Sequence, residues 1–231
     1  MRKDLKENLL KKVSDEYDYL ADQFSLTRQR QWGDTEFLAS YVKEGDSIVD
    51  WGCGNGRLYG LFVNSNISYL GIDNCRGLIE KAQEKYPDIN WQVGSDIPYN
   101  SYDKIFAIAS WHHLPGEELR LQKLKEFNER LKDGGYLLLT TWNLRQKKYF
   151  WLWFRNNIRN IFSGYDWNDV LVPWKSREKV IYRYYHSISK RRLIKFVKEA
   201  GFEIEKCYYS DNGKKAHWFS GKNIVMVAKK V

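Results

Sequence analysis

The stretch IVDWGCGNGRLYG, residues 48–60, sets three alternate glycines, Gly52, Gly54 and Gly56, directly behind a short apolar run that ends in Asp50. A strand that passes through a glycine turn into a helix lets backbone N–H groups approach a ligand closely. Spacing narrows the ligand. A dinucleotide fingerprint asks for a small residue five positions after its first glycine, and here that position is Arg57. No GK[ST] follows, which excludes a phosphate-binding P-loop. Instead Asp73 stands about twenty residues on, at the end of a second apolar run, where a carboxylate accepts hydrogen bonds from ribose hydroxyls.

Working outward, apolar runs and amphipathic stretches alternate. DSIVDWG (46–52), ISYLGIDN (67–74), INWQVGSD (89–96), YDKIFAIAS (102–110) and YLLLTTW (136–142) read as strands. GRLYGLFVN (56–64), CRGLIEKAQEKY (75–86) and GEELRLQKLKEFNERLKDGG (116–135) read as the helices between them, the last closed by its Gly-Gly pair. This rhythm predicts an α/β fold with a doubly wound, mostly parallel sheet. Asp96 and Ile97, ending the third strand in GSDIP, fall where an adenine amino group and ring face can be read. Ligands of such sheets bind outside the carboxyl ends of the strands, so Asp50, Asp73 and Asp96 belong to one expected site.

Two flanks complete the chain. Leu5, Leu9, Val13, Tyr17, Leu20, Ala21 and Phe24 recur at three- and four-residue intervals, predicting an amphipathic helix in an N-terminal cap over residues 1–35. Residues 145–182 are basic and aromatic without clean periodicity and read as an insertion. After them SKRRLIKFVKEAG (189–201) reads as a helix, and FEIEKCYYS (202–210) and NIVMVAKKV (223–231) as two antiparallel closing strands.

Composition bounds the function. The 231 residues carry a net charge of +9, and between positions 145 and 195 thirteen bases face three acids, so the excess sits in one segment. That points to a polyanionic partner. The cysteines Cys53, Cys75 and Cys207 are too few and scattered for a disulfide framework or a metal site, and no metal is expected. No apolar run reaches the roughly 20 residues that span a bilayer, and residues 1–20 lack the apolar core of a secretory signal, so a cytoplasmic location is expected.

DWGCGNG, GIDNC, GSDIP, the strand end AIASWHHL and LKDGGYLLLTTW resemble, in order, the successive motifs of the class I S-adenosylmethionine-dependent methyltransferases over residues 45–142. The resemblance implies a seven-stranded Rossmann-like sheet with an antiparallel C-terminal strand, and S-adenosyl-L-methionine as cofactor. It implies Asp50, Gly52, Cys53, Gly54 and Gly56 around the methionine moiety, Asp73 and Asn74 on the ribose, Asp96 and Ile97 at the adenine, and Ala109 near the sulfonium. Methyl transfer from a sulfonium neutralises charge, so positioning supplies much of the catalysis.

Further stretches, YDYLADQFSLTRQRQW (17–32), TTWNLRQ (140–146), DVLVPW (169–174) and RYYHSISKRRL (183–193), are similar to a narrower family. These are the tRNA methyltransferases that esterify 5-carboxymethyluridine at the wobble position, including the methyltransferase domain fused to an AlkB-type dioxygenase. A carboxylate acceptor is already an anion at neutral pH and calls for a cation to hold it rather than a strong base. Arg28 and Arg183 are the candidates for that clamp, with His112 and His113 beside the acceptor. The resemblance brings in the tRNA anticodon loop and a small zinc-containing activating subunit as partners. Trp51 inside the glycine motif and Gly33 after Trp32 depart from the family's pattern. The alternative reading is methylation of a small molecule or quinone-like precursor, with the aromatic segment as an apolar pocket; a non-catalytic RNA-binding module would have no need of the intact glycines and acids.

Overall fold

The computed structural model describes residues 1–27, 32–176 and 179–231. Helix α1 (Lys3–Thr27) and the short α2 (Gly33–Ala39) precede an alternation of strands and helices: β1 (Ser47–Trp51), β2 (Ser68–Asp73), α3 (Arg76–Lys85), β3 (Asn90–Val93), β4 (Tyr102–Ile108), α4 (Glu117–Arg130) and β5 (Leu131–Trp142). Next come α5 (Phe150–Asn160), the hairpin β6 (Asp169–Lys175) and β7 (Val180–His186), then α6 (Lys190–Glu199), β8 (Phe202–Asp211), the two-residue β9 (Lys214–Lys215) and β10 (Asn223–Lys230).

The main sheet has the order β3-β2-β1-β4-β5-β10-β8-β9. β1 through β5 pair in parallel, and β10 runs antiparallel between β5 and β8. The expected mostly parallel sheet of seven long strands with an antiparallel C-terminal strand is therefore present, with β9 as a short addition at one edge. Successive strand residues face opposite sides, so Ile48, Phe106 and Leu138 pack toward α2 and α3, while Val49, Ile105, Leu137 and Leu139 pack toward α4 and α6. Strand order reverses between β1 and β4, which opens a crevice at their carboxyl ends.

Three local expectations differ. GRLYGLFVN forms only a 3-10 turn, Leu58–Leu61: glycines 56 and 60 weaken a helix, and the Tyr59 ring is held edge-on against Tyr69 and Tyr86. Helix α4 stops at Arg130 rather than at the Gly-Gly pair, because buried Leu131 already pairs with Tyr102 in the sheet. The aperiodic segment holds an ordered helix, α5, whose buried face is amide rather than apolar. Asn156 and Asn157 accept from the backbone amides of Leu171 and Asn168, and Asn160 donates to the carbonyls of Asp166 and Asp169. Trp151, Phe154 and Ile158 of α5 are consequently exposed.

Candidate active site

β1 ends in Trp51 and turns at once, with Gly52 at φ +77°. A Cβ on Gly52 would lie 2.2 Å from the Cβ of Ser110, whose hydroxyl donates to the Trp51 carbonyl, so only glycine lets the β1 and β4 loops close together. Around this junction lies a cavity of about 480 Å³ at the reversal of strand order. Asp50, Gly52, Cys53, Gly54, Asp73, Asn74 and Ala109 all line it, as do His112, His113 and Arg183. Ala109 sits in the left-handed region, φ 53°, held by its amide's hydrogen bonds to the carbonyl and hydroxyl of Thr140.

Asp50 is buried. Tyr69 donates to its Oδ2 at 2.7 Å, whereas Oδ1 has no hydrogen-bond partner. Burial raises the carboxyl pKa to about 7, against the Tyr69 hydrogen bond and with reinforcement from Asp73. Asp73 receives the amides of Gly54 and Cys75, each at 2.9 Å, and keeps lone pairs free toward the cavity for hydroxyl donors. Burial raises its pKa while those two amides pull it back. Cys53 is buried and its thiol pKa pushed well up, again chiefly by burial, which leaves it a packing group. Asn74 fixes the roof, its carbonyl accepting from Ser14 of α1. Arg57, which broke the dinucleotide pattern, also lines the cavity and lies 4.2 Å over the Trp32 ring.

At the other end the cavity meets β7. Arg183 is 3 % exposed; its Nη1 donates to the Tyr17 hydroxyl at 3.2 Å, and its guanidinium lies 4.4 Å from the Trp174 ring and 5.3 Å from that of Tyr185. Its Nε is buried without a partner, and among the described residues no carboxylate is within ion-pair distance. The acid whose field reaches it is Glu16, which pairs with Lys12 at 3.7 Å and whose pKa burial raises to about 7.

His113 completes a chain of donors. Its Nδ1 lies 2.8 Å from the Tyr184 carbonyl, so that nitrogen carries the proton, and Nε2 accepts from Tyr17 at 3.1 Å. Burial lowers the His113 pKa to about 3, opposed by the Tyr184 hydrogen bond. His112 is 1 % exposed, stacks on Tyr185 and accepts the Trp142 amide at Nδ1, leaving the proton on Nε2; burial depresses its pKa strongly. Both rings are neutral at pH 7. Neither has the poise of a general base, and the site offers instead a fixed cation beside hydroxyl and N–H donors.

Three of the residues singled out from sequence fall outside the cavity lining, and a fourth is not described. Arg28 lies outside the described residues. Gly56 packs behind the cavity: at φ +70°, a Cβ there would meet Trp91 at 2.6 Å. Asp96 is exposed and accepts from Ser95, and Ile97 is buried in the core with its amide bonded to Glu126. The cavity takes Gly94 from that loop instead. Tyr17, Trp142 and Tyr185 line the site without having been singled out as site residues. Tyr17 was visible as one member of an amphipathic stripe and as the first residue of a family-like stretch, with no role assigned; its place here makes α1 a wall of the cavity as well as a packing element.

The methyltransferase-domain family profile matches residues 24–206. The tRNA (carboxymethyluridine(34)-5-O)-methyltransferase of Schizosaccharomyces pombe is 32% identical over 219 residues, which cover 85% of this chain and 91% of that protein. Among solved structures, an S-adenosylmethionine-dependent methyltransferase of Methanosarcina mazei superposes with a TM-score of 0.69 at 20% identity, covering 84% of this chain and 97% of its own. A chain from the complex between the Haloferax volcanii Trm112 methyltransferase activator and a methyltransferase superposes at 0.65 with 16% identity, covering 93% and 97%. At those identities the two structures speak for the fold. The chain belongs to the methyltransferase-domain family and is an S-adenosyl-L-methionine-dependent methyltransferase, in one family with the S. pombe enzyme.

Proposed function

We propose that this methyltransferase esterifies the carboxylate of a 5-carboxymethyluridine-type wobble nucleoside in the anticodon loop of tRNA. The observation that carries this reading is Arg183: a buried guanidinium on the cavity wall, with no carboxylate among the described residues within ion-pair distance. Burying such a charge is costly unless an anion meets it, and a planar carboxylate matches its paired donors. The S. pombe relative's name and the concentration of basic charge at residues 145–195 support the same acceptor. A neutral small-molecule acceptor has no use for that cation and is not favoured.

The residues present fit the cofactor. The orphaned Oδ1 of Asp50 asks for a donor, Gly52 and Gly54 line the cavity in left-handed backbone without side chains, and Asp73 faces the same cavity with unfilled lone pairs. Asp50, Gly52, Cys53 and Gly54 would hold the methionine end, Asp73 and Asn74 the ribose, and Gly94, in the loop that leads to Asp96 and Ile97, the adenine. When bound, S-adenosylmethionine would supply a methyl group on a sulfonium, open to displacement by the acceptor carboxylate. Arg183 holds the acceptor carboxylate, Tyr17 fixes the guanidinium, His113 fixes Tyr17, and His112 lies in the same wall. No proton has to move, which suits two neutral histidines with depressed pKa values.

Lys and Arg of the basic segment contact phosphates, and its exposed aromatic rings stack on splayed bases. A small activating subunit and a cytoplasmic location belong to the same reading; no described helix is long and apolar enough to cross a membrane. Nucleoside analysis of tRNA from cells with and without the gene tests it: the free carboxymethyl form accumulates in the deletion and its methyl ester disappears. An unchanged wobble-uridine profile rejects the acceptor while leaving the methyltransferase intact.

A further inference from the structure

A second cleft, about 640 Å³, lies on the far side of the 114–116 connection from the methyl-transfer cavity, between α1, the start of α4 and the start of α6. Its wall contains polar groups that have no hydrogen-bond partner among the described residues. Arg120 is 2 % exposed; its Nη1 donates to the Leu114 carbonyl, yet its Nε is buried without a partner. Arg145 donates to Asn168 from Nη2, and its Nε is likewise buried and unpartnered. Ser187 is fully buried with an unpartnered hydroxyl. Among the described residues neither arginine has a carboxylate within ion-pair distance. The acids at the cleft are already engaged: Glu117 by Arg192, Glu118 by Lys6 and Asp166 by the Met1 amino group.

Unsatisfied buried donors of this kind cost free energy unless a ligand meets them. Two guanidinium groups and a hydroxyl on the wall of one cleft make a site for a compact, multiply accepting anion. The N-terminal turn of α6, capped by Ser189, opens on the same cleft and favours negative charge.

We infer that this cleft binds a phosphate group through Arg120, Arg145 and Ser187, separately from the methyl-transfer cavity. The phosphate is either a phosphodiester of the RNA substrate or a free phosphorylated anion, and the site's chemistry does not depend on which carboxylate is methylated. The test uses the full chain with inorganic phosphate, and separately with an anticodon stem-loop RNA, comparing wild type with Arg145→Gln and Ser187→Ala. Phosphate raises the wild-type Tm over chloride at matched ionic strength, by about 3 °C at tenfold its Kd, and each variant loses most of that shift. Unchanged S-adenosylmethionine affinity shows that the variants are folded. If the occupant is an RNA phosphodiester, Arg145→Gln also lowers the slope of log affinity against log salt by about 1. If it is a free anion, the phosphate effect disappears in the variants and the RNA slope stays. No phosphate-specific shift in wild type, together with an unaltered RNA slope, overturns the site whether or not the wobble carboxylate proves to be the acceptor.

Discussion

Tyr17 of α1 and His113, in the turn after β4, share a 3.1 Å hydrogen bond between the phenol oxygen and Nε2. Because the other nitrogen of His113 donates to the Tyr184 carbonyl, the phenol is the donor to the ring and is left to accept from Arg183. Removing the hydroxyl alone should loosen the guanidinium without emptying the cavity. Tyr17→Phe is expected to lower kcat about tenfold, the worth of one hydrogen bond, with little change in cofactor affinity. A parallel loss of S-adenosylmethionine binding in calorimetry would instead make Tyr17 part of the cofactor pocket.

Arg183→Ala removes the cation itself. Loss of about 10²–10³ in kcat is expected, as for deletion of a buried charge-stabilising donor, with cofactor binding retained. Arg183→Lys should recover only part, since a point charge lacks the planar pair of donors. Single-turnover methyl transfer to a carboxymethyluridine stem-loop, run beside cofactor calorimetry, separates the two effects.

Asp50 should couple cofactor binding to pH. Its folded-state pKa of about 7 lies above the unfolded value of about 4. The folded chain therefore holds a proton that the unfolded chain has released, and this group's contribution to stability is full below pH 4 and lost as pH rises toward 7. If donors of the cofactor meet the ionised Oδ1, binding expels that proton. Affinity should then rise by up to about tenfold per pH unit below pH 7 and level off above it. Asp50→Asn should abolish that slope; a slope that survives the substitution assigns the proton elsewhere.

Gly52→Ala meets two obstacles, a left-handed backbone and the Ser110 Cβ at 2.2 Å. Gly45→Ala meets only the first, since its Cβ at φ +80° would have nothing within 4 Å. The left-handed penalty is about 1–2 kcal/mol, or roughly 2–8 °C in Tm for a chain of this size. Gly52→Ala should exceed that and weaken cofactor binding, and adding Ser110→Gly should restore the difference. Equal Tm losses for the two alanine variants would show that the β1 and β4 loops can part.

His113 should stay neutral far below the usual imidazole range. With a folded-state pKa of about 3, it contributes stability that is present above the ordinary value near 6.5 and is lost as pH falls through that window. Its ring resonances should not move between pH 8 and pH 5, and the rate profile should lack a limb near 6.5. A titration near neutrality would mean that Tyr17 and Tyr184 do not hold the ring.

The core and the cofactor end of the site were legible because they are written in local patterns. Apolar runs alternating with amphipathic helices implied the sheet, and the glycine turn with Asp73 on the next strand end implied a ribose-bearing ligand. What escaped was written in the wrong letters or at long range. α5 buries Asn156, Asn157 and Asn160 and exposes Trp151 and Phe154, so a hydrophobicity count inverts its faces. Tyr17 reaches its partners across more than ninety residues, and nothing in an amphipathic stripe distinguishes a phenol that packs from one that donates. Gly94 rather than Asp96 reaches the cavity because the loop after β3 turns at φ +150°, which only the folded backbone reveals.

β10, set between β5 and β8, gives the molecule an order of manufacture. The strand that fills the middle of the C-terminal half of the sheet comes last in chain order among the described strands, and Ile224 through Ala228 are wholly shielded only when it is in place. Until residue 230 has been made, β5 and β8 are both open edges with nothing between them, an invitation to pair with another nascent chain. The parallel half, β1 to β5, needs no later residue for its strand pairing. During synthesis the glycine turn can take shape early, while the wall that carries Asn223 waits for β10.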